Sequence, residues 1–195
     1  FENPSFDLDQ QGVLCLDETV LDLEVKNPSD NYSYVWEYID ENNAITRVGT
    51  SSQITIDVGG TYTVTATTIG DIGCSTTKSI EVKTSEFAKF DTNDIIISGF
   101  SSQENTVEII IDNLGVGDYE YALDDSSFQD NPYFDLVRPG MRTVKVRDKN
   151  GCGVSSAQVG VVGYYKYFSP NNDGINDTWQ ILGLKTTFNS NSLVY

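Results

Sequence analysis

Histidine is absent from the 195 residues. That removes the commonest general base, the Ser-His and Cys-His nucleophile pairs and most zinc sites. Basic residues are scarce, 12 Lys and Arg against 29 Asp and Glu for a net charge of −17, and they form no cluster. Nucleic acid and anionic membrane surfaces are therefore poor partners, while cation association and solubility are favoured. Long apolar runs are missing. The longest, such as Ile95-Ile96-Ile97 and Ile109-Ile110-Ile111, fall far short of the roughly 18 residues that a membrane helix needs, so no bilayer-spanning segment is expected. An initiating Met and a charged-then-apolar leader are both lacking before Phe1, which reads as a processed product or one piece of a longer protein. Paired carboxylates are still available for glycoside hydrolysis, but with 29 acids on a β-rich surface a chance pair is expected, and the chain reads as non-enzymatic.

What is present is short-period β sequence. Thr19 to Lys26 alternates through Val20, Leu21, Leu23 and Val25; Ser33 to Ile39 is aromatic and β-branched; Ile54-Thr55-Ile56 and Thr61 to Thr68 follow at short spacing, with Gly59-Gly60 as a hairpin signal. Further strands are expected at Asp94 to Gly99, Thr106 to Asp112, Tyr119 to Leu123, Tyr133 to Leu136, Arg142 to Asp148 and Ser155 to Val162. Nothing sustains a helical period. The expected fold class is all-β: tandem sandwiches over residues 1–86 and 87–163, then the start of a third β domain over 164–195.

The order Cys15, Trp36, Cys74 is similar to the Cys, Trp, Cys order of immunoglobulin-like domains, which implies a core position for Trp36. Cys15 and Cys74 fall within one domain at positions suited to a bridge across its edges, and Cys152 is expected to be free. Three reduced, buried thiols are the competing reading. The second unit repeats the end of the first: Gly60 to Ala66 leads to Gly73-Cys74-Ser75 as Gly140 to Val146 leads to Gly151-Cys152-Gly153. The stretch Asp118 to Asp125, with Phe128-Gln129-Asp130, Leu136, Pro139-Gly140 and Val146 to Cys152, resembles the repeat modules of large gliding adhesins. That resemblance implies an extracellular stalk.

Asn171, Asn172, Asp173, Asn176, Asp177 and Thr178 surround Gly174. Oxygen ligands at alternate positions about a Gly can wrap Ca²⁺, with Asn171, Asp173, the Ile175 carbonyl and Asp177 as ligands and Asn176 as a further one. The same residues equally make an Asx-rich turn with no metal. The four aromatic residues Tyr164, Tyr165, Tyr167 and Phe168 precede this loop, and strand alternation is expected to bury at least half of them against the sheet rather than leave an exposed docking strip.

Tyr167 to Trp179, Tyr-Phe-Ser-Pro-Asn-Asn-Asp-Gly-Ile-Asn-Asp-Thr-Trp, followed by Gln180 to Leu184, resembles the opening of the type B, or gliding-motility-associated, C-terminal sorting domain. The residues that carry the likeness are Phe168, Pro170, Asn171, Asp173, Gly174, Asn176, Asp177 and Trp179. Asn172 and Ser169 stand where that family usually has Gly and often has Thr. By the family pattern Leu193-Val194-Tyr195 begins the next strand, so roughly the second half of the domain is expected to lie outside this sequence. The resemblance implies a Bacteroidetes cell-surface or secreted protein, exported across the outer membrane by type IX secretion machinery and associated with an outer-membrane β-barrel of the PorP/SprF family. The apolar residues Leu182, Leu184, Leu193, Val194, Phe168 and Trp179 exceed what so short a tail covers alone, so a partner for it is expected. The alternative function is glycan or ligand binding by one sandwich. It requires Tyr119, Tyr121, Phe128 and Tyr133 to share one open face.

Overall fold

The computed structural model describes residues 2–70, 73–173 and 177–184. The chain divides into two compact units, Phe1–Glu86 and Phe87–Tyr195.

In the first unit β1 (Gln11–Cys15), β3 (Tyr32–Ile39), β4 (Ile45–Gly49), β6 (Gly60–Thr68) and β7 (Ser75–Ser85) form one sheet in the order β1-β7-β6-β3-β4, and β2 (Leu21–Glu24) pairs with β5 (Gln53–Ile56) in a second. Alternation explains the layering. Tyr62, Val64 and Ala66 of β6 turn inward between Thr61, Thr63 and Thr65, and meet Leu23, Ile54 and Ile56 from the smaller sheet. Each fully buried apolar side chain of this kind contributes about 1.5–3 kcal/mol. Trp36 lies at the centre with no exposed surface, as the sequence implies, and its indole N–H donates to the Ser51 carbonyl at 3.0 Å. Burial thus leaves its one polar atom satisfied.

β1 pairs with β7 in parallel, with Gln11 opposite Glu81 and Cys15 opposite Ser85, whereas all other strand pairs here are antiparallel. That register corrects the expected disulfide. Cys74 immediately precedes the first residue of β7 and Cys15 lies beside the last, so roughly 35 Å of strand separates two residues that must approach within about 7 Å to be bridged. Cys74 is the free thiol, and Cys15 and Cys152 are the disulfide-bonded cysteines.

The second unit is a sandwich of two three-stranded sheets. β8 (Ile95–Ser98), β9 (Asn105–Ile109) and β11 (Tyr133–Val137) form one in the order β11-β9-β8; β10 (Tyr119–Leu123), β12 (Gly140–Asp148) and β13 (Val154–Val161) form the other in the order β10-β12-β13. A 3₁₀ turn, Thr92–Asp94, is capped by Asp91, whose carboxylate accepts from the Asn93 amide at 2.6 Å. Val107, Ile109, Val144, Val146, Val159 and Val161 fill the space between the sheets. β14 (Gly163–Tyr164) leaves this core and pairs with β15 (Ile181–Leu182), so the far side of the 165–180 loop returns to the sandwich.

Two glycines set that return. A side chain at Gly163 would collide with the Ser101 carbonyl and the Pro139 ring, and one at Gly183, where φ is +81°, would collide with the Val161 carbonyl. Both backbones therefore approach the sandwich more closely than any other residue permits. The two ends of the tail's described part, β14 and β15, are thus held against the second unit.

Candidate functional site

The loop that resembles a sorting signal is exposed. Phe168 is 55% and Trp179 49% accessible, Pro170, Asn171 and Asp173 are exposed, and Asp177 is half-buried. Gly174, Ile175 and Asn176 lie outside the described residues, as do residues 185–195 with the expected strand start at Leu193. Asp177 closes the loop: its Oδ1 accepts from the amides of Asn171 at 3.1 Å and Asn172 at 2.6 Å. The Asn171 amide also donates to the Ser169 carbonyl at 2.7 Å, and the Asn171 side-chain NH₂ donates to Asp173 Oδ2 at 2.8 Å. Asn172 takes φ of 62°, the left-handed conformation that Asn tolerates better than most residues. These contacts make an Asx-type turn. Asn171, Asp173 and Asp177 remain the hard oxygen donors that calcium takes, but the oxygens described here already accept hydrogen bonds from the loop itself. Among the described residues no group of three or more His, Cys, Asp or Glu is placed to hold a metal.

The aromatic run before the loop behaves differently from expectation. Only Tyr164 packs, its ring 5.4 Å from Phe100 and 6.1 Å from Trp179; Tyr165, Tyr167 and Phe168 are 46%, 74% and 55% exposed. The cause is that β14 ends at Tyr164, so strand alternation has no ladder on which to continue.

The aromatic residues of the second sandwich do not share an open face. Tyr121 is buried in the core, and Tyr119 packs against it with its hydroxyl donating to the Leu114 carbonyl. Phe128 lies under the Arg147 guanidinium at 4.0 Å, leaving Tyr133 as the exposed member. The stacking platform expected of a glycan-binding sandwich is not formed by these four rings.

Two clefts flank Arg138 and Arg142. One, of about 480 Å³, is lined by Ser102, Gln103, Arg138, Pro139, Arg142, Tyr165, Lys166 and Tyr167. The other, of about 370 Å³, is reached from the same two arginines and carries Tyr133, Gln129 and Leu136 together with Asp124 and Asp135. Arg142 is fixed: its guanidinium donates to Asp124 Oδ2 at 3.0 Å, the Arg138 carbonyl at 2.9 Å and the Pro139 carbonyl at 3.3 Å. Asp124 also accepts from the Thr143 amide at 2.8 Å, which holds the pair in register with β12. Sequence reasoning missed this site, because its cations come from a bulge, a strand and a tail that only the fold brings together.

Buried polar groups support the same region. Asn105 has no exposed surface; its carbonyl oxygen accepts from the Ser101 amide at 2.8 Å, and its NH₂ donates to the carbonyls of Ser101 at 3.0 Å and Val137 at 2.9 Å. Asp148, 1% exposed at the end of β12, accepts from the amides of Asp118 and Cys152 and from the Asn150 side chain, and so fixes the turn that carries Cys152. In the first unit the buried Tyr62 hydroxyl donates to the Val58 carbonyl at 2.7 Å, an arrangement like the tyrosine corner of immunoglobulin-like sandwiches, and burial pushes its pKa up to about 12.

No protein-family model and no curated protein matches the chain in sequence. Solved structures do match in fold. Murine CEACAM1b is similar over 79% of this chain and 96% of its own, with a TM-score of 0.52 and 12% identity. The two-domain fibronectin type III segment of chicken tenascin aligns over 80% of this chain and 97% of its own at a TM-score of 0.38 and 15% identity. Sidekick-1 immunoglobulin domains 1–4 align over 80% of this chain and 48% of theirs at a TM-score of 0.41 and 11% identity. The chain is all-β, built of immunoglobulin-like sandwiches.

Proposed function

We propose that this chain is a non-catalytic segment of an exported, surface-located protein, in which two immunoglobulin-like sandwiches act as a stalk and residues from 164 onward begin a type IX secretion sorting domain of the gliding-motility-associated type. The observation that carries the reading is the presentation of the described motif residues, 168–173 and 177–179: Asp177 ties back to Asn171 and Asn172, and Phe168 and Trp179 are open to a partner. The disulfide supports passage through an oxidising compartment. The partner is an outer-membrane β-barrel of the PorP/SprF family. Calcium has a subordinate place in the proposal, binding through Asn171, Asp173 and Asp177 in exchange for their present hydrogen bonds.

The test is a fusion of residues 164 onward, together with any sequence that follows in the parent protein, to a passenger in a type IX-competent cell. Export and surface retention that require the barrel are expected. Export of a passenger by residues 1–163 alone, or retention indifferent to loss of the barrel, would overturn it.

A further inference from the structure

We propose that the 480 Å³ cleft beside Arg138 binds an acidic oligosaccharide, with the uronic-acid carboxylate taken by Arg138 and Lys166 and the sugar faces laid on Tyr165 and Tyr167. This inference stands apart from the sorting role of the tail. It rests first on where charge falls in a chain of net −17. Lys26, Lys78, Lys145, Arg147 and Lys149 all pair with carboxylates; Arg47, Lys83, Arg138 and Lys166 pair with none among the described residues, but Lys83 lines a cleft with Asp40, Glu41 and Glu81, whereas Arg138 and Lys166 face one that no Asp or Glu lines. Cations that are left uncompensated in so acidic a molecule create a local positive field, and low-dielectric walls focus it.

The second observation is the chemistry beside those cations. Tyr165 and Tyr167 are 46% and 74% exposed, and the Lys166 ammonium sits 5.6 Å from the Tyr167 ring centre. Rings held open at a cleft edge offer flat apolar area to the C–H faces of a sugar, and each phenol adds a hydroxyl for its oxygens. Ser102 and Gln103 supply further polar groups to the lining. Arg142 contributes position rather than net charge. Asp124 neutralises it, and its two other hydrogen bonds brace Arg138 and Pro139 by their carbonyls.

Length selects the ligand class: the two unpaired cations of one small cleft neutralise one or two carboxylates of a short oligosaccharide, whereas a long polyanion such as a nucleic acid, or an anionic bilayer, also meets the repelling −17 surface outside it. The cleft volume lies within the range of small-ligand sites. Guanidinium recognises a planar carboxylate in two-point contact, which a neutral hydroxyl does not reproduce.

The experiment is a titration of the 195-residue chain, followed by NMR, with tetragalacturonate, the neutral galactotetraose and the peptide tetraglutamate. Tetragalacturonate is expected to bind with Kd on the order of 10⁻⁴ to 10⁻³ M in low salt, to weaken in high salt, and to shift resonances of Tyr165 to Tyr167. The double variant R138Q/K166Q is expected to lose about tenfold in affinity, and Y165A/Y167A a similar amount, with melting temperatures unchanged because all four side chains are solvent-facing. Equal binding of galactotetraose, binding of tetraglutamate in preference to the glycan, no binding of tetragalacturonate, or full affinity in R138Q/K166Q would each overturn the proposal.

Discussion

The side-chain NH₂ of Asn105 donates across β9 and β11 to the carbonyl of Val137 at 2.9 Å, at the point where the register between those strands shifts. The shift arises between Phe134 and Val137, where an extra residue turns the chain outward, and Asn105 ties the bulge back to Ser101. Asn105→Ala would strand the Ser101 amide and the Val137 carbonyl in a buried site. A loss of about 2–4 kcal/mol is expected in urea unfolding of the second unit. A loss below about 0.5 kcal/mol would show that the bulge holds without it.

Leu136 sits in that bulge with φ of 53° and 69% of its surface exposed. A left-handed leucine costs about 1–2 kcal/mol and gains little from burial here. Leu136→Gly is therefore expected to raise stability by about 1 kcal/mol, read as a higher denaturation midpoint at unchanged slope. A lower midpoint would mean that the leucine side chain contributes contacts worth more than the strain.

Tyr62 makes the first unit sensitive to alkali. Its pKa is raised from 10.0 to about 12 by burial, so the folded state holds the proton that the unfolded state releases. The sign follows: the stabilisation is complete below pH 10 and is lost as pH rises through 12. Burial raises Tyr121 in the same direction in the second unit. Tyr62→Phe should flatten the fall in first-unit stability across that window, at the cost of the hydrogen bond to Val58. An unchanged pH profile in the variant would remove Tyr62 as the source.

Alkylation without reduction is expected to label one cysteine, Cys74, with Cys15 and Cys152 labelled only after reduction. Label on Cys152 in fully oxidised protein would contradict the structure.

Asp177→Ala removes the acceptor for two amides, and faster hydrogen exchange at Asn171 and Asn172 is expected. Asp177→Asn keeps an acceptor and should retain most of the protection. If calcium occupies the loop, millimolar calcium protects the same amides in the parent chain, with Kd on the order of 10⁻⁴ to 10⁻³ M, and does not in Asp177→Ala. Absence of both heat on titration and any change in melting temperature would remove calcium from the proposal.

Strands with inward-facing alternation were legible in the sequence. β3 and β6 fall within a residue of expectation, and β10 matches at both ends, because burial on one face writes a period of two. β4 was not, since every residue but its last is exposed and no face is marked apolar. β7 was hidden likewise by its polar Ser-Thr-Thr-Lys-Ser opening. The disulfide was misread because Cys15 and Cys74 fall within one domain in the Cys, Trp, Cys order of immunoglobulin-like sandwiches, whereas the parallel register of β1 sends Cys15 to the other end of β7. At the candidate site the loop motif was visible as a run of residues. The cleft was not, since Arg138 and Lys166 are 28 positions apart and share a wall only through Gly163 and Pro139.

The parallel pairing of β1 with β7 has a mechanical consequence. A pull on the two ends of the first unit drags β1 backward from Gln11 and β7 forward from Ser85, in opposite directions along adjacent strands. The ladder between them is then loaded in shear, so its hydrogen bonds must fail together rather than open one after another as in a peeled hairpin. A domain pulled at both ends is braced where the load enters.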